Sequence, residues 1–72
     1  MSFNRQIEDV ELETVKAFQT IINAKTFNKV CRVVDQHALT STLTFYQDDV
    51  FVFAIDITMI DGNWNAAIRE VE

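Results

Sequence analysis

The sequence predicts an α+β fold in which one amphipathic helix packs on a small antiparallel sheet. The longest apolar run, Val50 to Ile60, is rich in β-branched and aromatic side chains and contains neither Gly nor Pro, which is typical of a strand. The N-terminal part of the chain instead repeats apolar residues at helical spacing. With 72 residues the chain has room for one core, so we expect residues 1–72 to form a single domain.

The central strand, residues 50–60, has two unlike faces when it is read with a period of two. One face is wholly apolar: Phe51, Phe53, Ile55, Ile57 and Met59. The other is mixed: Val52, Ala54, Asp56, Thr58 and Ile60. We expect the apolar face to lie under the helix. We also expect the strand to lie inside the sheet, because so hydrophobic an edge strand would recruit copies of itself.

Residues 42–47 predict a second strand that precedes the central one, with Leu43 and Phe45 directed inward and an Asp-Asp turn between the two strands. A plain two-residue turn would place Phe45 opposite Val52. A one-residue shift moves every side chain to the other face, so gathering the apolar residues on one surface requires a three-residue or bulged connection.

Residues 64–71 predict a further strand. Asp61-Gly62 is the clearest turn signal in the chain, and the far half of the central strand needs a neighbour. A short helix over the same residues is the alternative, because Trp64, Ala67, Ile68 and Val71 also fit helical spacing.

The N-terminal helix is predicted over residues 4–24. Its inward side is apolar: Ile7, Val10, Val15, Ala17, Phe18, Ile21 and Ile22. Glu11 is the exception, since it falls near the centre of this apolar stripe. The favoured interpretation is that Glu11 reaches solvent past the sheet edge. The alternative is a buried carboxylate paired with Arg32 or Arg69.

Residues 26–38 are ambiguous. Phe27, Val30, Cys31, Val34 and Ala38 follow helical spacing, and we favour a helix slightly on that ground. The alternative is a strand, because Val30, Cys31, Val33 and Val34 have the side-chain shapes that sheets prefer.

The composition of the chain limits the classes of partner that it can bind. A core this small needs support, and one Cys with one His can form neither an internal disulfide nor a structural zinc site, so we expect a homo-oligomer or a complex with a host protein. The net charge of −5 disfavours nucleic acid and anionic membranes. Without a secretory signal or a membrane-spanning run, a cytoplasmic location is expected.

Motifs for catalysis are scarce. A single Gly cannot build the common phosphate-binding loops, and the acids lack the pattern of a calcium loop, so no cofactor and no metal are expected. Cys31 and His37 would fall on different sides of a helix, which disfavours a nucleophile–base pair. Asp56 is expected to be exposed; if it were covered, it would need a partner and its pKa would shift.

The sequence therefore predicts a small acidic protein-interaction module without catalytic activity. By analogy with accessory proteins of phages and mobile elements, it would be an oligomeric accessory or inhibitor protein that docks a basic surface. The candidate interaction residues are Tyr46, Val52, Asp56, Thr58 and Trp64, with Glu8, Asp9, Glu13, Asp48 and Asp49 as an acidic rim. One alternative is a regulatory nucleic-acid-binding protein that uses Lys25, Lys29 and Arg32. A second alternative is a minimal enzyme that uses Asp56 or Cys31.

Overall fold

The computed structural model describes residues 3–70, which form two helices followed by a four-stranded antiparallel sheet. The helices are α1 (Phe3–Ala17) and α2 (Gln19–Asn23). The strands are β1 (Lys29–Asp35), β2 (Thr40–Gln47), β3 (Val50–Ile60) and β4 (Asn63–Glu70). Each strand pairs with its neighbour in sequence, in the order β1-β2-β3-β4. The α+β prediction is confirmed, with the central strand β3 paired on both sides.

The single predicted helix is divided at Phe18. This residue has φ −98° and ψ 11°, outside the α-helical region, although its carbonyl still accepts a 2.9 Å hydrogen bond from the N–H of Ile22. The break changes which residues of α2 face the sheet, because Ile22 is buried while Ile21 is exposed. The expectation that Ile21 points inward is therefore wrong, and Ala17 at the end of α1 is exposed rather than buried.

The core lies between the helices and one face of the sheet, which we call the inner face. Its buried side chains are Ile7, Ile22, Leu43, Phe45, Phe53, Ile55 and Ile57. The rings of Phe45 and Phe53 stack with their centroids 4.1 Å apart, and Phe27 meets the Phe45 ring edge-on at 4.9 Å. Leu43 and Phe45 point inward as predicted, opposite Ile55 and Phe53.

A bulge inside the β2–β3 hairpin, rather than at its turn, brings the apolar side chains of the two strands onto one face. The turn has two residues, Asp48 and Asp49, both with positive φ, and it pairs Gln47 with Val50. The register then shifts between Phe45 and Tyr46, so that Val52 is an extra residue in β3. A bulge was predicted at the connection and occurs within the ladder. Because of it, Val52 packs against the core and Phe51 pairs with Tyr46 on the opposite face, which reverses the predicted positions of Phe51 and Val52.

The slight preference for a helix over residues 26–38 is wrong, since Lys29–Asp35 forms β1. Its pairing with β2 places Val30, Arg32 and Val34 on the inner face, opposite Phe45, Leu43 and Ser41. The alternation was hidden in the sequence because the middle inward position carries Arg32, while the apolar Val33 points outward. Side-chain shape was the better guide here than periodicity.

The predicted strand over residues 64–71 is confirmed as β4, Asn63–Glu70, while residue 71 lies outside the described residues. Asp61 and Gly62 form its turn with φ values of 50° and 79°. Trp64 and Ile68 are half-buried against the core. No helix within residues 3–70 is long and apolar enough to cross a membrane.

Candidate functional site

The sheet is wider than the helix that covers it. Four strands about 4.8 Å apart form a layer roughly 19 Å wide, whereas a helix with its side chains is about 10 Å wide. Helix α1 supplies the fully buried Ile7 and the half-buried Val10 and Val15 to the core. It therefore leaves a groove on each of its sides, one towards β4 and one towards β1.

The groove between α1 and β4, called the β4 groove below, has a volume of about 350 Å³. It is lined by Asp9, Val10, Glu13, Thr14, Ala17, Phe18 and Ala66. Its apolar part comes from Val10, Ala17, Phe18 and Ala66, and no Lys or Arg lines it. The two carboxylates at its rim, Asp9 and Glu13, are exposed. Glu13 lies 3.8 Å from the ammonium group of Lys16, but a contact between two exposed groups of this kind contributes little.

The groove between α1 and β1, called the β1 groove below, has a similar volume of about 350 Å³ and a different chemistry. Its lining residues are Glu8, Glu11, Leu12, Val15, Arg32 and Leu43. Here acids and a base meet. The hydrogen bond and charge of Glu11 raise the pKa of the Arg32 guanidinium, and the charge of Glu8 acts in the same direction.

Glu11 is the centre of a polar network that connects α1 to β1 and β2. Only 8% of the residue is exposed. The Nε of Arg32 donates to Oε2 at 2.7 Å, its Nη2 donates to Oε1 at 2.8 Å, and the hydroxyl of fully buried Ser41 donates to Oε2 at 2.6 Å. The two-pronged contact from Arg32 matches the planar carboxylate and fixes the helix over the first two strands.

The pKa of Glu11 is lowered by this network. Burial by itself would raise the pKa, because it disfavours the charged form, but hydrogen bonds from Arg32 and Ser41 and the charge of Arg32 outweigh it. Glu11 is therefore ionised at neutral pH. The favoured expectation that Glu11 reaches solvent is wrong, and the alternative of a buried carboxylate paired with Arg32 is correct.

The opposite face of the sheet, called the outer face, carries three of the candidate interaction residues: Tyr46, Asp56 and Thr58. Half-buried Asp56 accepts a 3.0 Å hydrogen bond from the Nε of Arg69. The same guanidinium lies 5.8 Å from the ring centroid of Phe51, so one cation covers a carboxylate and an aromatic ring. Asp56 is thus an ion-paired residue on a face that no element within residues 3–70 covers.

Two candidates do not lie on the outer face. Val52 packs against the core as the extra residue of the bulge, and Trp64 packs there from β4. Trp64 therefore contributes to the core, whereas Tyr46 stays on the outer face.

The ten candidates do not form one surface. Glu8, Asp9 and Glu13 are exposed on α1, across the sheet from Tyr46 and Asp56. Asp49 lies in the β2–β3 turn. Beside it, Asp48 is part of a reciprocal contact in which the side chain of Asn28 donates to its carboxylate at 3.0 Å and accepts from its backbone N–H at 3.2 Å. The helix acids therefore border the grooves rather than the outer face.

The three bases proposed for nucleic-acid binding are separated and paired. Lys25 lies 2.7 Å from Glu70, Arg32 binds Glu11, and Lys29 lies 3.9 Å from Asp49. Arg32 is on the inner face, whereas the ammonium group of Lys29 lies 5.8 Å from the Tyr46 ring on the outer face. The basic stripe that a helix over residues 26–38 would have formed is absent from the described part of the chain.

The structure does not bring Cys31 and His37 together. Cys31 is half-buried within β1, while His37 is exposed beyond the strand end, past Asp35, which is about 13 Å from Cys31 along the strand. Asp35 accepts hydrogen bonds from the backbone N–H groups of His37 and Ala38. Among residues 3–70 no group of three or more His, Cys, Asp or Glu residues could hold a metal ion.

Comparisons with protein-family models, with curated proteins and with solved structures found no significant match. The candidate site therefore depends on geometry alone. Sequence reasoning missed Val10, Ala17, Phe18 and Ala66 as groove residues. These groove residues could have been predicted from the number of elements, because one long helix covers only about half of a four-stranded sheet.

Proposed function

We propose that this protein is an acidic protein-interaction module without catalytic activity, and that its β4 groove receives a basic amphipathic helix of a partner protein. The observation that carries the proposal is the composition of that groove, which has an apolar lining and carboxylates but no base at its rim. The β1 groove is the internal contrast, because Arg32 already offsets its acids.

Charge complementarity supports a basic partner. The chain carries 11 acids and 6 bases, and bases such as Lys25, Arg32 and Arg69 already lie within 4 Å of an acid. The negative surplus is thus borne by acids such as Asp9 at the groove. A partner with Lys or Arg beside an apolar stripe would meet both features, and the attraction would speed its encounter with the groove.

The dimensions of the groove support a helical occupant. Its lining runs from Asp9 to Phe18, which corresponds to roughly 14 Å along a helix axis, or two to three helical turns. A second helix beside α1 at the usual distance of about 8–10 Å would complete the cover of the inner face. Helix-in-groove recognition of this kind uses apolar anchors at positions i, i+3 or i+4, and i+7.

The module would act by occupying a basic surface of its partner, as an accessory or inhibitory subunit does.

Cys31 has no second cysteine with which to form an internal disulfide, which favours a reducing compartment such as the cytoplasm.

The test uses a synthetic amphipathic peptide with leucines at helical spacing and flanking lysines, and a matched peptide with glutamates in place of the lysines. We expect the basic peptide to bind, and NMR shift changes to map to Val10, Ala17, Phe18 and Ala66. The double variant Asp9→Lys/Glu13→Lys should lose at least about tenfold in affinity, which corresponds to 1.4 kcal/mol.

The matched control is Asp49→Lys/Asp61→Lys, which changes the net charge equally at exposed turn positions away from the groove. It should retain most of the affinity. Equal losses in both double variants, or equal binding of the two peptides, would show that the interaction is not specific to the groove and would contradict the proposal.

A further inference from the structure

The outer side of β1 is an unpaired sheet edge, since no strand within residues 3–70 pairs with it. It is also the more hydrophobic of the two edges. Val33 is 64% exposed and Val30 49% exposed, whereas Trp64 and Ile68 of the other edge strand, β4, are half-buried against the core. An edge strand of β-branched residues with unpaired backbone groups is a template for strand addition.

The charges of β1 select the strand that fits this edge. In an antiparallel pair of two copies centred on Arg32, Lys29 of one copy lies opposite Asp35 of the partner subunit, and the match occurs twice by symmetry. Val30 then lies opposite Val34, and Cys31 opposite Val33. Sliding the register by two residues in either direction removes the match, because Lys29 would then face Val33 or His37.

Both charged groups are available for this contact. The N–H groups of His37 and Ala38 donate to the same oxygen of Asp35, Oδ1, which leaves Oδ2 for an ion pair. Lys29 is held by weak surface contacts, an exposed one to Asp49 at 3.9 Å and one to the Tyr46 ring at 5.8 Å from its centroid. The two Arg32 residues meet at the centre of the pair, and each is already neutralised by its own Glu11.

We propose that β1 pairs antiparallel with β1 of a second copy, centred on Arg32, so that two sheets join into one of eight strands. In this register, each inner-face residue of β1 lies opposite an inner-face residue of the partner subunit. Both α1 helices therefore lie on the same face of the joined sheet, and the two β1 grooves lie side by side. This interface is separate from the β4 groove, which stays open in the dimer.

The first experiment compares two valines of nearly equal exposure, Val33 at 64% and Val50 at 66%. Light scattering after size exclusion, from micromolar to millimolar concentration, should give a mass of twice 8.3 kDa for the wild-type chain. Val33→Lys should be monomeric over the range in which the wild type is dimeric, because lysine on an edge opposes strand addition. Val50→Lys should remain dimeric. A monomeric wild type, or equal behaviour of the two variants, would overturn the proposal.

The second experiment fixes the register. Val33→Cys places a thiol opposite Cys31 of the partner subunit, at a Cα separation of about 4.5–5.5 Å that suits a disulfide. Mild oxidation should give a covalent dimer of this variant, whereas the wild type and Val33→Cys/Cys31→Ser should stay non-covalent on a denaturing gel. Efficient cross-linking of the wild type through Cys31 alone would indicate a register two residues away and would refute the pairing centred on Arg32. Peptide binding in the β4 groove is measured independently of both readouts.

Discussion

The two sides of α1 are built differently, and the difference separates what holds the helix from what the helix leaves open. Towards β1, a buried carboxylate, a guanidinium and a buried hydroxyl form a closed polar network. Towards β4, the helix meets Ala66 across a largely apolar groove whose two charged lining residues are both acids. The fold thus fixes α1 by directional contacts on one side and keeps its other side accessible.

The strongest test of this asymmetry removes the base from each of two ion pairs. Arg32→Ala should lower the free energy of unfolding by about 2–3 kcal/mol, less than the full cost of breaking a buried pair because half of the Arg32 side chain is exposed. It leaves the Glu11 carboxylate buried with only Ser41 as partner. Urea denaturation followed by circular dichroism measures the change.

Arg69→Ala is the matched control, since it breaks the more exposed ion pair with Asp56 on the outer face. We expect a much smaller loss of stability there, because a solvent-exposed ion pair contributes little. If Arg32→Ala and Arg69→Ala lowered the free energy of unfolding equally, the polar network would not be the contact that holds the helix.

The pH dependence of stability should identify the same network. The pKa of Glu11 is lowered in the folded protein, so its contribution is complete above its ordinary value of 4.5 and is lost as the pH falls through the folded-state pKa. At neutral pH, Glu11→Gln should cost about 2 kcal/mol, because the charge-assisted hydrogen bonds are lost. This difference from the wild type should shrink steadily when urea denaturation is repeated below pH 4.5. A gap that stays constant down to strongly acidic pH would mean that Glu11 does not titrate with folding.

The smallest expected effect concerns the β4 side of the fold. Gly62 has φ 79°, and a Cβ added there would meet nothing within 4 Å, so Gly62→Ala tests backbone strain alone. We expect a loss of about 1 kcal/mol, measured by thermal denaturation. Asp61→Ala is the control, because residue 61 already holds a side chain at φ 50°. A loss confined to Gly62→Ala would show that the β3–β4 turn depends on glycine, and equal losses would indicate another cause.

Elements with an unbroken pattern were predictable from the sequence. The alternation of β3 from Phe53 to Met59, the inward positions of Leu43 and Phe45, and the Asp61-Gly62 turn before β4 all follow from local periodicity and turn chemistry. β1 was missed because Arg32 occupies an inward position whose partner, Glu11, lies 21 residues away. The inward position of Arg32 cannot be predicted without knowing that Glu11 pairs with it, and the burial of Glu11 cannot be predicted without Arg32.

The candidate site was predictable only in part. The acids of α1 were predicted to be interaction residues, but the groove beside them depends on how much of the sheet one helix covers. The exchange of Phe51 and Val52 depends on a bulge, and a two-residue turn can be reconciled with the core in more than one way. Packing between layers decides both features, and single-strand patterns do not contain that information.

The order of the strands also bears on how quickly the chain reaches its native state. Every strand pairs with its immediate neighbour, so the ladders form by closing short loops, and such a topology folds faster than one that joins distant segments. The docking of the N-terminal helix, through Glu11 and Arg32, spans a longer stretch of chain. The sheet can therefore form before α1 packs on it. Until α1 packs, the newly formed sheet would expose its apolar inner face to solvent.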